Sequence, residues 1–221
     1  MQSSLGTNFW RISFSIFFFI LGFNLILPEM NTFITQMGGE SNKGLIITLF
    51  SISALISRPI SGKLSDNIGR KKVIYFGIIV SILVTILYPI FLSVSLFLAL
   101  RFFHGLAAGF TPTGATALVT DIIPENKRGH AMGIWGTFIS VGIGIGQGLG
   151  SYCFQIGGFE FLFGCAASFS ALALILTINI QETLPKPKSF SLGLLRIHKN
   201  DLIEKNVLPA AIAMVLTAPC S

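Results

Sequence analysis

"SGKLSDNIGRKK", Ser61 to Lys72, sets five charged side chains into twelve consecutive positions of a chain that is 52% hydrophobic and only 11% charged. Four of the five are basic, Lys63, Arg70, Lys71 and Lys72, and the fifth is Asp66. On one side lies the apolar run Gly44–Ile60 and on the other Val73–Leu92. Each is long enough to carry an α-helix through a hydrocarbon core of about 30 Å at about 1.5 Å per residue. A polar turn between two such runs is the signature of a membrane hairpin. The rest of the sequence extends it: a mean hydropathy of +0.77 and 21 phenylalanines place the 221-residue chain outside the soluble classes.

Further runs of the same kind are Ile12–Pro28, Leu96–Thr120, Ala131–Phe154 and Phe161–Ile180, with a seventh beginning near Asn206. The expected fold class is therefore an all-α membrane protein of six complete transmembrane helices plus the start of a seventh. The first run follows a short polar stretch with Arg11 and is succeeded by "LPEMNTF" rather than an A-x-A-like cleavage site, so it reads as a retained span. Three segments are expected: a six-helix half over 1–180, a basic linker over 181–205 with Pro185 and Pro187, and a truncated seventh helix over 206–221. On this reading the chain is a fragment or truncated product of a longer protein.

The net charge of +6 is topological. Placing the N-terminus inside puts twelve of the fifteen Lys and Arg in inner segments: Arg11, then Lys63, Arg70, Lys71 and Lys72, then Lys127 and Arg128, then Lys186, Lys188, Arg196, Lys199 and Lys205. The outer loops hold Lys43, while Arg58 and Arg101 fall within spans. That asymmetry sets the N-terminus in the cytoplasm by the positive-inside rule, and it calls for no nucleic-acid partner. The expected location is a bacterial inner membrane. Cys153, Cys165 and Cys220 show no C-x-x-C or Cys/His spacing and read as small core residues, with no metal site and no cofactor implied. No nucleophile–base pair or metal motif suggests an enzyme.

Spans 3 and 6 carry no charge and few glycines, as peripheral helices should, whereas spans 1, 4 and 5 hold Asn24 and Glu29, Arg101 and His104, and a glycine run. That run, "GIGIGQGLG" from Gly142 to Gly150, fits no G-x-G-x-x-G phase and follows no strand, so it is not a nucleotide site. Gly142, Gly146 and Gly150 fall on one helix face, with Gly144 and Gly148 roughly opposite, so both faces could admit a close neighbour.

The four bases of the opening stretch follow from orientation, but Asp66 does not. It needs a defined role, such as capping a helix or accepting from a guanidinium, with Gly62 and Gly69 permitting a close contact and a sharp turn. The run Gly62 to Lys72 closely resembles the loop 2–3 signature of the major facilitator superfamily, G-x-L-[SA]-D-x-x-G-R-[KR]. "RFFHGLAAG", Arg101 to Gly109, is similar to that family's span 4 motif R-x-x-x-G-x-x-x-G, and "DIIPENKRGHAMG", Asp121 to Gly133, to its loop 4–5 pattern. The resemblance implies half of a major facilitator fold: two three-helix repeats, spans 1 and 4 lining a cavity, and a substrate site shared with a C-terminal half, in cis or on a second chain. It further implies an inner latch in which Gly62, Asp66, Gly69 and Arg70 join Asp121.

The same resemblance suggests the drug and metabolite proton-antiporter type, whose span 5 often reads G-x-x-x-G-P-x-x-G-G. Here Gly142, Gly146 and Gly150 match, but Gln147 replaces the proline and Ser151 the last glycine. The family associates the Arg101 position with proton coupling, and His104 stands where a glutamine is usual. Glu29, about 26 Å above Ile12 along a straight helix, and Arg101, at nearly the same height, are expected to interact across the cavity. Asn24, Glu29, Arg101 and His104 are thus the cavity and proton-coupling candidates. Arg58, beside Pro59, reads as a side chain reaching for the inner surface, and Pro112 as a kink in span 4. The expected function is alternating-access, proton-coupled export of small organic molecules or drugs. Proton-coupled uptake of a sugar or organic acid is the alternative, and a non-transporting membrane sensor or inactive fragment the alternative from another class.

Overall fold

The computed structural model describes residues 5–195, so the expectations for Arg196, Lys199, Lys205, Cys220 and the seventh span lie outside the described residues. Helix α1, Thr7–Leu25, gives way to a 3-10 turn over Leu27–Glu29 before the short α2, Met30–Gln36. Pro28 causes the change, since it has no N–H to donate and its ring crowds the carbonyl four residues back. Next come α3 (Lys43–Ile68), α4 (Arg70–Leu87), α5 (Val94–Ile122) and α6 (Arg128–Ile178). As one straight rod the 51 residues of α6 would run about 77 Å, over twice the hydrocarbon thickness. It is broken instead at Gly157 and Gly158, the latter with φ of 66°.

The two arms of α6 run in opposite directions beside α1. Gly142, Gly146 and Gly150 of the first arm face Phe17, Leu21 and Leu25 in ascending order. On the second arm, Ala166 faces Gly22, while Ser15 donates to the Ala173 carbonyl at 2.8 Å and pairs with Thr177 at 2.7 Å, in descending order. Helix α5 sits between α3 and α4 in the same manner. Its Gly105 and Gly109 press on Phe50, Ala54 and Ser57 of α3, and its Thr111 and Phe110 on Gly77 of α4. Among the long helices, α1 and α5 bury the largest shares of their length. Two large apolar clusters fill the bundle, one around Ile12, Ile16, Ile74 and Leu118, the other around Leu25, Phe33, Tyr88 and Phe163, and a third, small one joins Leu64, Val73 and Phe110.

By length and composition four stretches among the described residues can cross a membrane: Thr7–Gln36, Glu40–Ile68, Val94–Ile122 and Glu125–Ile178. Helix α4 is as long as a short span but begins on Arg70, Lys71 and Lys72. Two local expectations change. The opening stretch is helical up to Ile68 and again from Arg70, so what reads as a loop is a turn of one residue, Gly69. Helix α5 holds Pro112 within its length, and the Thr113 hydroxyl donates to the Gly109 carbonyl at 2.7 Å. Only one face of the glycine run is packed: a Cβ at Gly144 or Gly148 would meet nothing within 4 Å, whereas one at Gly146 would lie 2.6 Å from the Leu21 carbonyl oxygen.

That difference sets a paired test. Gly146→Leu should destabilise the bundle by about 1–3 kcal/mol through overpacking, while Gly148→Leu, with the same gain in helix propensity, should not. Thermal unfolding of the detergent-solubilised chain, followed by helical circular dichroism, reads both, and equal midpoints would contradict the packing described.

Candidate functional site

Polar side chains gather at two levels of the bundle. The first is the end where α3 turns into α4, called here the Gly69 end. The turn needs φ of 115° at Gly69, a value that L side chains rarely adopt. A Cβ there would also lie 2.5 Å from the Glu182 carboxylate. Helix α4 therefore begins with no capping side chain of its own, and a residue more than a hundred positions later supplies one. Glu182 accepts from the backbone N–H of Arg70 and of Lys71, both at 3.0 Å, and from those of Thr183 and Leu184. A carboxylate at a helix N-terminus satisfies orphan donors and meets the positive end of the helix dipole.

The Arg70 side chain turns back from this start. Its Nε donates to Asp121 at 3.0 Å, its Nη1 to the Ser65 carbonyl at 2.7 Å, and its Nη2 lies 3.4 Å from Asp66, whose side chain is 69% exposed. Thr183 donates to the same Asp121 oxygen at 2.6 Å. Lys188 extends the docking, its N–H bonding the Asn67 carbonyl at 2.7 Å and its ammonium the Asn67 side chain at 3.0 Å. The structure thus brings Asp66, Gly69, Arg70 and Asp121 together, with Gly62 one turn earlier, where a Cβ would stand 4.0 Å from the Thr113 methyl. Sequence reading missed Glu182, Thr183 and Asn67. The only advance sign was an acid, "QET", placed just where the last helix ends.

The second level lies nearer the opposite end, marked by Gly158. Arg101 is 1% exposed, its guanidinium 5.0 Å from the Phe50 ring and within electrostatic reach of Tyr88 and His104. Its Nε and Nη1 have no hydrogen-bond partner. It does not reach outward to the surface. His104 is fully enclosed, with Nδ1 3.0 Å from the Tyr88 hydroxyl and Nε2 3.2 Å from Ser81, so both ring nitrogens are engaged with α4 and its end.

Glu29, 9% exposed, accepts from Ser151 at 2.6 Å. The expected contact between Glu29 and Arg101 is absent. The 3-10 turn at Pro28 ends the straight helix on which the height estimate depended, and it aims Glu29 at α6 while Arg101 points to α3 and α4. Ser151, a departure from the family pattern, is the residue that holds Glu29. Asn24 bonds the Ile20 carbonyl of its own helix at 2.8 Å and abuts Gly146, and Gln147 is exposed. No group of three or more His, Cys, Asp or Glu able to hold a metal occurs among the described residues.

Known proteins are similar to this chain in sequence and in fold. Over 217 residues the chain is 26% identical to the "Quinolone resistance protein NorA" of Staphylococcus aureus strain MRSA252, covering 96% of this chain and 55% of that protein. It is 36% identical over 169 residues to "Multidrug resistance protein 2" of Bacillus subtilis strain 168, covering 75% of this chain and 40% of that one. The chain therefore spans about half the length of the curated relatives it matches. In fold it is similar to the human organic anion transporter MFSD10 (TETRAN), with a TM-score of 0.67 at 24% identity over 80% of this chain and 48% of that one. The family model "Major Facilitator Superfamily" matches residues 12–219. With that match spanning nearly all of its length, this multi-pass membrane chain belongs to the Major Facilitator Superfamily, a family of transporters and not of enzymes.

Proposed function

We propose that the chain is the amino-terminal half of a proton-coupled exporter of small organic molecules or drugs, working by alternating access with a second, C-terminal half. The observation that carries this reading is Arg101. A guanidinium that is always ionised, 1% exposed and without a partner on Nε or Nη1 is costly unless function uses it. The low-identity relatives named for quinolone and multidrug resistance support drugs as cargo. The six spans are α1 with α2, α3, α4, α5 and the two arms of α6, grouped as two three-helix repeats. The Gly69 end is cytoplasmic, because Lys63, Arg70, Lys71, Lys72, Lys127 and Arg128 all lie there. The bacterial relatives favour the plasma membrane.

In this mechanism Asp66, Arg70 and Asp121 form the latch of one conformation. Charge-assisted hydrogen bonds between helix ends hold while those ends are packed and weaken once water enters. Glu29 is the candidate proton carrier. As a carboxylate it accepts from Ser151, and protonation removes that acceptor charge. Arg101 supplies a fixed positive charge enclosed among α3, α4 and α5, and His104 positions the helix around it.

Efflux is tested in bacterial cells lacking their own drug exporters, with the chain expressed from its full coding sequence. These cells should accumulate several-fold less norfloxacin than vector controls, and a protonophore should abolish the difference. Arg101→Ala should bring accumulation back to the control level, and Glu29→Gln should remove the dependence of efflux on external pH. Higher accumulation in expressing cells would instead indicate uptake, and an unchanged pH profile in Glu29→Gln would exclude Glu29 as the carrier.

The latch makes a separate prediction about stability. Removing the remote cap with Glu182→Ala should cost about 1 kcal/mol and speed amide exchange at Arg70 and Lys71. Combining it with Asp121→Asn should give a coupling of at least about 0.5 kcal/mol, since both act on Arg70 and Thr183. Strict additivity in a thermal double-mutant cycle would show that the two carboxylates do not share one network.

A further inference from the structure

Toward the Gly69 end, α3 and α5 part to leave a groove of about 580 Å³ lined by Arg58, Pro112, Thr113, Thr116, Thr120 and Asp121. Arg58 lies ten residues before the end of α3 and Thr113 nine before the end of α5. That sets the head of the groove about 15 Å along the helices from their ends, within the apolar run Gly44–Ile60 and close to its inner limit. The groove sits on the outward face of α5, whose residues 111, 114, 115, 118 and 119 are buried on the other side.

Arg58 is exposed, and its side chain makes no hydrogen bond or ion pair among the described residues. A cation at this depth is tolerated where it faces a water-filled cavity and not lipid. The other acid and base of the neighbourhood are already matched. Asp121, at the mouth, accepts from Arg70 and Thr183 and is paired with Arg70, not with Arg58. Thr113 and Thr120 donate to carbonyls of their own helix, at 2.7 and 2.8 Å. The guanidinium fork and the Thr116 hydroxyl are left as donors into the groove, beside apolar surface from Pro112, Ala117 and, one turn up α3, Leu55, which is 71% exposed.

We infer that this groove is a substrate subsite for amphipathic carboxylates, with Arg58 as the residue that selects for the anionic group. Five N–H donors in a planar fork match a carboxylate in two parallel bonds, which an ammonium cannot reproduce. The volume is that of a site for a drug-sized molecule, and the apolar walls take the body of such a ligand while Arg58 takes its head. This rests on the transporter reading above. It gives that reading a substrate class and replaces the expectation that Arg58 merely reaches for the inner surface.

Dansylglycine and its uncharged amide differ only at the carboxylate, and dansyl emission reports their binding to the full chain in phosphatidylcholine nanodiscs. The wild type should hold the acid about tenfold more tightly than the amide. Arg58→Gln should abolish that preference while the amide still binds, and Arg58→Lys, which keeps the charge and loses the fork, should retain part of it. A wild type that fails to prefer the acid overturns the assignment. So does a preference that survives Arg58→Gln, or a loss of amide binding that matches the loss of acid in both variants. The assay reads binding and not flux, so cells without efflux would refute export and leave this subsite standing, whereas equal binding of acid and amide would refute the subsite alone.

Discussion

The backbone carbonyls of Leu21 and Leu25 lie against Gly146 and Gly150 so closely that a Cβ on either glycine would stand 2.6 or 2.3 Å from the oxygen. In a bilayer the surrounding lipid is as apolar as the helix surface, so burying a leucine against another helix gains little over leaving it in lipid. Cohesion has to come from dense van der Waals contact and from satisfied polar groups, and both require short interhelical distances. The stripe on α6 brings α1 in, the pair Gly105 and Gly109 brings α3 onto α5, and Gly77 brings α4 onto the other side. The polar clusters inherit their geometry from these seams. Ser15 reaches the second arm of α6, and Ser61 the Gly109 carbonyl at 3.0 Å, because glycines and alanines have let the helices close.

Close packing also decides where charge can stay. At the Gly69 end, helix termini expose unbonded N–H groups, and the Gly69 conformation that turns α3 into α4 leaves no side chain there to cap them. Glu182 fills that place from the end of α6 and so ties the last helix to the first hairpin. The same segment then delivers Thr183 to Asp121, which makes the Arg70–Asp121 pair a three-way contact among α4, α5 and the chain after α6. Rearranging α5 relative to α4 therefore disturbs the segment after α6 as well.

Much of this was legible in the sequence, and the reasons differ from residue to residue. The apolar runs revealed helices because a span is a local property of composition. Gly69 and Asp66 stood out because they oppose a purely basic anchor, and their spacing matches a family pattern. Asp121 followed from that resemblance alone. What stayed hidden depends on contacts between distant positions: Glu182 lies 112 residues from Arg70, and Ser151 lies 122 from Glu29. The height argument for Glu29 assumed one straight helix through Pro28, although that proline was itself a warning that the helix would end. The glycine run likewise promised two packed faces, because periodicity names faces without saying which of them has a neighbour.

Arg58 and Arg101 are the two arginines that sequence placed inside spans, and the structure separates their situations. Arg101 is enclosed and held by aromatic and histidine neighbours, so its environment is set by the six helices themselves. Arg58 stands at the open face of the bundle with nothing on its guanidinium, so its environment is set by whatever occupies the groove. A fixed enclosed charge suits a constant role such as balancing a proton, because its field does not change when cargo leaves. An open charge suits discrimination, because its energy depends on what arrives. The groove beside Arg58 lies toward the Gly69 end, and the seam in which Gly105 and Gly109 meet α3 falls between it and Arg101, so the two charges sit in separate surroundings and a change at one need not reach the other.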